Sequence, residues 1–421
     1  MSKTSDRLLI NNLVYTLPSS ETEALQRNDM RNYFDQRNYN AGQTIRAVFQ
    51  TGARYVDVLN SSLVMDVVCS DVEAADPSWG QGSALNLIKN VRVYHKNGTE
   101  LVNIQNHNVN QMIEDKCKNT REWFDNVGWL MGYRADNLIN GHGTINNAGN
   151  PYQQNPIVGG SVQYIIPLPC IAPIFNPAAK QWLPNMLSAG LILEIDLATS
   201  AEAVVRTAGA ADVELSVRDI YLNLSTIVLS DMAVATLNDI GSKKLIEYVY
   251  VDTYTSRLSQ PQNNGTISTS VNKAVSFADH IVTGEVISAN RNNQLADEFS
   301  LAGGGKSYQY QLGSVQLPSQ VFTDTVHKAY LQMMKTYNKY RDDTDKSSVI
   351  YQNFGDTLQV KTCSFSKDQL LALAQMPINS SRSLRYEQNY DTAPAEARTV
   401  FVFLHYIKSL RCSLTDCTVN Q

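Results

Sequence analysis

Apolar and polar residues alternate along most of the chain, which is the period expected of half-buried β-strands. Between two of these runs stands Lys96-Asn97-Gly98-Thr99. Asn-Gly in that position predicts a β-hairpin, because both residues tolerate a positive φ. The alternating segments are residues 44–49, 55–59, 63–68, 91–95, 101–104, 161–168, 190–198, 213–229, 245–254, 281–287, 308–312, 357–364, 382–390 and 399–410. The pattern therefore predicts an all-β protein with a few helices.

Three segments have helical signals instead. Residues 106–128 and 322–341 repeat apolar side chains at the spacing of an amphipathic helix. Near the N-terminus, Ser20 and Glu23 form a capping-box pattern, which predicts a short helix running towards residue 34. We expect residues 1–40 to form an N-terminal arm outside the main fold.

The second half of the chain repeats the order of elements in the first half. Residues 213–231 parallel residues 398–416, and each segment ends in Leu-(Ser/Thr)-Asp. Three apolar pairs fall in register: Leu215 with Val400, Val217 with Val402, and Leu229 with Leu414. Any two amphipathic strands share some of this likeness, but the repeated order favours a tandem duplication. We expect one β-domain over 41–236 and a second over 237–421, with the boundary in the segment 230–244.

Charge is scarce in this sequence. The chain of 421 residues has 35 Lys and Arg against 40 Asp and Glu, and charged residues are 18% of the total. Soluble domains usually have about 25%. A mildly acidic chain lacks the basic surface that nucleic-acid binding requires. Weak repulsion between copies is compatible with extensive self-association.

Targeting and redox signals are also weak. The apolar run Leu8-Leu9-Ile10 is too short for a signal peptide, and no run reaches the roughly 20 apolar residues of a membrane span. The six cysteines are scattered and form no CxxC pair. Without a secretory signal, we expect reduced and mostly buried thiols.

Candidate catalytic and metal motifs have simpler explanations. Residues 300–307 resemble a phosphate-binding loop, but the first glycine is replaced by Ser300 and a strand pattern follows where a helix is needed. Glu194 and Asp196 share one face of a strand, as paired acids would, but a solvent or subunit face explains them better. His142 stands alone in a polar loop, and no histidine pair has metal-ligand spacing. We expect no enzyme activity and no catalytic, cofactor or metal site.

One region resembles a known family. Tyr164-Ile-Ile-Pro-Leu-Pro-Cys-Ile-Ala-Pro-Ile-Phe175 is followed by Trp182-Leu-Pro-Asn-Met-Leu187 and by the alternating strand Gly190–Leu197. This order resembles double jelly-roll major capsid proteins, where an Ile-Pro-Leu strand end precedes a Leu-Pro and an alternating strand. The closest likeness is to polinton-like viruses and virophages, in the lineage of adenovirus and the tailless membrane-containing phages. The second repeat, around 370–386, matches more loosely.

The resemblance implies a structural role in an icosahedral DNA virus. Two tandem jelly-roll β-sandwiches per chain would make a homotrimer a pseudo-hexagonal capsomer of the virion, assembled inside the host cell. Expected partners are other copies of the chain, penton and minor capsid proteins, and an internal membrane reached by the arm at 1–40. Loops 132–160, 258–275 and 290–307 would lie on the outer face. No cofactor and no direct nucleic-acid contact is expected.

Two alternatives from other classes stay open on the sequence. One is a glycan-binding surface β-sandwich that uses loop tryptophans and tyrosines as stacking platforms. The other is a two-domain β-sandwich hydrolase with Glu194 and Asp196 as its acid pair. The missing signal peptide weighs against the first alternative.

Overall fold

The strands predicted from the alternation are present. The computed structural model describes residues 24–70, 77–79, 82–133, 161–179, 181–206, 211–243, 246–295, 301–302, 304–322, 325–340, 354, 359–365, 378–379, 382–412 and 417–420. Strands in the first half are β1 (Ala24–Tyr33), β2 (Tyr39–Asn40), β3 (Thr44–Val48), β4 (Tyr55–Cys69), β5 (Ser78–Trp79), β6 (Ile88–Tyr94), β7 (Glu100–Ile104), β8 (Ser161–Pro167), β9 (Ile192–Leu197), β10 (Val204–Val205) and β11 (Leu215–Leu229). Strands in the second half are β12 (Ile246–Gln260), β13 (Thr266–Val271), β14 (Ala278–Ile287), β15 (Gly305–Leu312), β16 (Val315–Phe322), β17 (Lys361–Ser364), β18 (Leu384–Tyr390), β19 (Arg398–Cys412) and β20 (Cys417–Asn420).

Helices lie in the connections between strands. The helices are α1 (His107–Lys118), α2 (Arg121–Trp123), α3 (Asn185–Ser188), α4 (Ser200–Ala203), α5 (Asp231–Lys243) and α6 (Thr325–Thr336). Single turns of other helix types are Ala84–Leu87, Phe124–Gly128, Leu168–Cys170, Pro173–Phe175 and Ser288–Asn290. The predicted helices at 106–128 and 322–341 are thus confirmed by α1, with the turns after it, and by α6. In the part of the chain described, no helix is both long and apolar enough to cross a membrane.

Each half of the chain forms its own pair of antiparallel sheets. In the first half the sheets have the orders β1-β11-β4-β8 and β3-β9-β6-β7. In the second half the orders are β12-β19-β14-β17 and β13-β18-β15-β16. When the short strands β2, β5, β10 and β20 are left out and the other strands of each half are numbered from one, both halves have the orders 1-8-3-6 and 2-7-4-5. Two four-stranded sheets with this interleaved order make a jelly roll, so the chain has the double jelly-roll fold expected from the resemblance.

The internal likeness seen in the sequence falls on equivalent strands. Residues 213–231 contain β11 and residues 398–416 contain β19, which occupy the same place in their sheets. The predicted hairpin is also present between β6 and β7. Gly98 takes a φ of +88°, while Asn97 does not take a positive φ. A single left-handed glycine is typical of the longer type I hairpin loops.

The first sequence prediction that the structure contradicts is the N-terminal helix. Residues 24–33 form β1, which pairs antiparallel with β11 from Ala24 opposite Leu229 to Tyr33 opposite Tyr221. Residues 24–40 are therefore part of the first sandwich, and only 1–23, with Ser20 and Glu23, lie outside the described residues. A capping pattern reflects only a local preference for helix. The free edge of β11 offers this segment a full ladder of hydrogen bonds, and such tertiary pairing overrides local propensity.

The second contradicted prediction is the loop at 258–275. Strand β12 continues to Gln260 and β13 runs from Thr266 to Val271, so about half of this segment is paired β-structure. Ser268 and Ser270 face solvent from β13, while Asn263 and Asn264 lie in the short turn between the two strands. Four of the cysteines follow the sequence expectation, because Cys69, Cys117, Cys170 and Cys363 are buried and form no disulfide.

The two sandwiches exchange side chains where they meet. Helix α1 belongs to the connection between β7 and β8, yet its Val109, Met112 and Ile113 pack into the core of the second sandwich. In return, Tyr248 and Tyr250 of β12 pack into the core of the first sandwich. Each tyrosine hydroxyl donates a hydrogen bond of 2.7 Å to a backbone carbonyl there. The seam between the sandwiches is therefore interlocked on both sides.

Candidate functional site

A dense group of ionisable side chains lies at this seam. A cavity of about 730 Å³ opens between the sandwiches, lined from one side by α1 and from the other by β14, β19 and the end of α6. Helix α1 carries Glu114 into this space because its apolar stripe is anchored in the second sandwich. The site thus takes its residues from both halves of the chain.

Glu114 is the centre of the group and is only 5% exposed. Tyr337, just after α6, donates a hydrogen bond of 2.6 Å to Oε1 of Glu114. The Nε2 atoms of His280 on β14 and His405 on β19 each lie 3.4 Å from that same oxygen. Lys118, one turn further along α1, forms an ion pair with Oε2. Both carboxylate oxygens are therefore engaged, and one of them is shared by three groups.

The two histidines are held in a fixed arrangement. Their rings stack with centroids 4.1 Å apart and planes 5° from parallel. Nδ1 of His280 lies 2.8 Å from the Asp279 carboxylate, and Nδ1 of His405 lies 3.1 Å from the hydroxyl of Thr253. Each ring thus uses Nδ1 for a supporting hydrogen bond. Nε2 of His280 also makes a hydrogen bond to Glu114, whereas Nε2 of His405 lies near the same oxygen without one.

The protonation states follow from burial and from these contacts. Burial alone raises the pKa of Glu114, but Lys118 and the two histidines outweigh it and hold that pKa well below its usual range. Burial lowers the pKa of His280, but hydrogen bonds with Asp279 and Glu114 raise it above the usual range. Burial and then repulsion from His280 lower the pKa of His405 to about 3. At neutral pH, Glu114 is ionised and His405 is neutral.

Two imidazoles and one carboxylate are ligands that divalent transition metals bind. One ligand atom from each of Glu114, His280 and His405 lies within 4.8 Å of the other two. Sequence reasoning missed this group because its members are far apart in the chain and have no common spacing. The only sequence signal was Glu114 itself, a charged residue beside the apolar stripe of a predicted amphipathic helix.

The paired carboxylates named by the sequence lie elsewhere. Glu194 and Asp196 are on the outward face of β9, while the alternating Leu193, Ile195 and Leu197 fill the core. Arg92 contacts both carboxylates, at 3.6 Å from Glu194 and 2.7 Å from Asp196. This ladder of opposite charges across neighbouring strands stabilises the sheet surface, which agrees with the structural explanation preferred from the sequence.

The segment that resembles a phosphate-binding loop continues as a strand. Gly305 begins β15, and Lys306 forms an exposed ion pair of 2.5 Å with Asp391. No helix N-terminus follows, so the amides are not arranged to hold a phosphate. Ser300 and His142 lie outside the described residues.

The tryptophans of the glycan-binding alternative do not share one surface role. Trp79 is fully buried and donates a hydrogen bond of 3.0 Å to the hydroxyl of Tyr164. Trp123 and Trp182 are partly buried against the cores, and Trp129 is 51% exposed. Almost all of the predicted loop at 132–160 lies outside the described residues.

Comparisons with solved structures show which proteins share this fold. No protein-family model and no curated protein sequence matches the chain. The Faustovirus major capsid protein superposes with a TM-score of 0.63 at 8% identity, over 95% of this chain and 93% of its own. PBCV-1 VP54, fitted into a reconstruction of the virophage Sputnik, gives 0.62 at 12% identity over 97% and 99%. The mavirus major capsid protein gives 0.57 at 11% identity over 97% and 92%. At such identities the likeness establishes the double jelly-roll fold.

Proposed function

We propose that this chain is a major capsid protein, which self-assembles as pseudo-hexagonal trimers into the icosahedral shell of a DNA virus. The observation that carries the proposal is the likeness in fold to viral major capsid proteins over nearly the full length of both chains. A single jelly roll occurs in many functional classes. Two of them in tandem are shared with the viral major capsid proteins, and this shared arrangement favours assembly as the function.

The internal repeat gives the trimer its shape. Each chain contributes two sandwiches with the same strand order, so three chains present six similar units around one axis. Such a tile fills a hexagonal position in a shell while needing only one kind of chain. Head-to-tail contacts between copies give such closed rings when the rotation from one copy to the next closes.

The surface composition supports repeated contacts between copies. With a net charge of −5 over 421 residues, repulsion between chains is weak. Several large apolar side chains are exposed and would be covered in an assembly: Tyr33, Leu59, Trp129, Leu130, Met232, Phe277, Leu295 and Tyr340. Obligate interfaces are of order 2,000 Å² or more and are rich in such residues.

The remaining structural assignments belong to the same proposal. The division into jelly rolls at 41–236 and 237–421 is supported by the sheets, since strands before α5 pair with one another and strands after it do likewise. Residues 24–40 are added to the first jelly roll because they pair with β11. We propose that the rest of the N-terminal arm contacts neighbouring capsomers, minor capsid proteins or an internal membrane. Segment 132–160 is proposed for the outer face. Segment 290–307 is only partly an exposed loop, because Gln294 and Leu301 are buried and residues 305–307 belong to β15. Penton proteins are further expected partners, and the virion is the expected location.

No catalytic activity is part of this proposal. The acid pair of the hydrolase alternative is engaged by Arg92 on an outer sheet face. Both carboxylates are held in ion pairs on the sheet surface. No arrangement among the described residues specifically favours the glycan-binding or the hydrolase alternative.

Size-exclusion chromatography with light scattering tests the proposal. The full chain of 46.8 kDa is expected to elute as a trimer of about 140 kDa, and electron microscopy should show hexagonal tiles. A stable monomer at micromolar concentration would refute the capsid function. Glu194→Gln serves as the control, since it is expected to fold and assemble normally. Loss of a glycosidic activity in that variant, with assembly intact, would instead establish the hydrolase.

A further inference from the structure

We propose that Asn264 is a site of spontaneous covalent modification, where the folded chain loses the side-chain amide by deamidation faster than at Asn97. The sequence Asn-Gly-Thr occurs twice, at 97–99 and at 264–266. Both asparagines are exposed, the first between β6 and β7 and the second between β12 and β13. The proposal does not depend on the capsid function, because it rests on the chemistry of these two turns.

The reaction is the attack of a backbone nitrogen on a side-chain amide. The N–H of the glycine that follows the asparagine gives its proton to water or hydroxide, and its nitrogen forms a bond to Cγ of the asparagine. The C–N bond of the side-chain amide breaks, and its nitrogen takes up a proton and leaves as ammonia. Water then opens the five-membered imide at either carbonyl, which gives aspartate or isoaspartate. Glycine favours the attack because it has no Cβ to obstruct it.

At both turns the asparagine side chain is folded back over its own backbone. Oδ1 of Asn97 accepts a hydrogen bond of 3.0 Å from the N–H of Thr99, and Oδ1 of Asn264 accepts one of 3.2 Å from the N–H of Thr266. Such Asx turns hold the side-chain amide close to the following peptide bond. Neither exposure nor side-chain hydrogen bonding therefore distinguishes the two sites.

The attacking nitrogen does distinguish them. The N–H of Gly98 donates a hydrogen bond of 2.8 Å to the carbonyl of His95 within the hairpin turn. This bond holds the proton, and it must break before the nitrogen of Gly98 can attack Asn97. The N–H of Gly265 makes no hydrogen bond to any residue that the structure describes. At Asn264 the proton can therefore be lost without breaking a contact within the protein.

Modification at Asn264 also has a structural consequence. The side chain of Gln260 donates a hydrogen bond of 2.8 Å to the carbonyl of Asn264, and the N–H of Tyr390 donates one of 3.0 Å to the carbonyl of Gly265. Isoaspartate lengthens the backbone by one carbon between these two bonds, and both products add a negative charge. The reaction therefore disturbs the beginning of β13, where it starts to pair with β18.

Timed incubation of the full-length chain tests the proposal. The protein is kept in mildly alkaline buffer, quenched in acid at intervals and digested with an acid protease, and the peptides are followed by mass spectrometry. Deamidation appears as the mass gain of replacing NH₂ by OH. Each rate in the folded chain is divided by the rate of the same site in denaturant, which removes the effect of neighbouring residues. We expect this ratio to be about 2- to 10-fold higher at Asn264 than at Asn97, the effect of one hydrogen bond that must break first.

A variant in the same turn tests the role of the attacking nitrogen. A Cβ on Gly265 would meet nothing within 4 Å, and its φ is not in the left-handed region. Gly265→Ala should therefore fold, and it should slow the reaction at Asn264 while leaving Asn97 unchanged. Circular dichroism and size-exclusion chromatography check the fold, and the third Asn-Gly pair, at 140–141 and outside the described residues, is resolved as a separate peptide.

Two results would overturn the proposal. The first is a ratio of folded to denatured rates at Asn264 that is equal to or lower than the ratio at Asn97, which requires no variant. The second is an unchanged rate at Asn264 in folded Gly265→Ala.

Discussion

A buried carboxylate in the second sandwich gives the sharpest test of how its core is held together. Glu285 on β14 has no exposed surface. It forms an ion pair with Lys361 on β17, which is itself 1% exposed, and a second pair of 2.9 Å with Arg398. The hydroxyl of Tyr390 also donates to it. Glu285→Gln keeps the shape but removes the charge, which leaves Lys361 as a buried cation without its counter-ion.

The expected cost follows from that uncompensated charge. Removing one partner of a buried ion pair destabilises proteins by about 3–5 kcal/mol, and we expect Glu285→Gln to fall in this range at pH 7. Lys361→Met should cost less, about 1–3 kcal/mol, because Arg398 still neutralises the carboxylate. The double variant should be less destabilised than the two singles together, with a coupling of about 1–3 kcal/mol.

The same group predicts a pH dependence of known sign. Burial raises the pKa of Glu285, but Lys361, Tyr390 and Arg398 outweigh it and lower the pKa below its ordinary value of 4.5. A carboxyl with a depressed pKa in the folded state stabilises the protein above its unfolded pKa. That stabilisation is lost as the pH falls through the folded value. The gap between the original chain and Glu285→Gln should therefore be full at pH 7 and shrink below about pH 4.

Equilibrium urea unfolding at a fixed protein concentration measures these differences. Glu194→Gln is the matched control, because its arginine contacts at 3.6–3.7 Å are on the surface and such pairs are worth at most about 1 kcal/mol. The reasoning fails if Glu285→Gln unfolds like this control at pH 7. It also fails if the effects of Glu285→Gln and Lys361→Met simply add, or if the gap does not change with pH.

Two further substitutions test close packing and the seam. A Cβ on Gly132, at φ +92°, would lie 2.9 Å from Tyr164 and 3.2 Å from Trp79. Gly98 has a similar φ of +88° but open space around it. Gly132→Ala should therefore lower the melting temperature clearly more than Gly98→Ala. Equal effects would contradict the packing argument. Tyr248→Phe leaves a buried backbone carbonyl without its 2.7 Å hydrogen bond and should lower the free energy of unfolding by about 1–3 kcal/mol. A loss under about 0.5 kcal/mol in urea unfolding would show that the bond contributes little to the seam.

Local sequence signals located most elements correctly but missed those that depend on a distant partner. Alternation located β9 and β11, and Gly98 marked the hairpin between β6 and β7, because side-chain period and turn conformation are properties of a few consecutive residues. The segment at 24–33 was misread as a helix, since its strand conformation depends on the free edge of β11. The polar segment at 258–275 was misread for the same reason, because β13 acquires its structure by pairing with β18.

The candidate site depended even more on contacts between distant residues than the strands did. By itself, the sequence determined an all-β chain of two similar halves with little charge. Composition, alternation and repeat order can all be read from the order of residues without knowing which distant residues meet. Only the tertiary structure decided that Glu114 enters the second half of the molecule and meets His280 and His405 there. That meeting depends on which sandwich buries the apolar face of α1. Burial of that face is a long-range choice made by packing, which residue spacing along the chain does not encode.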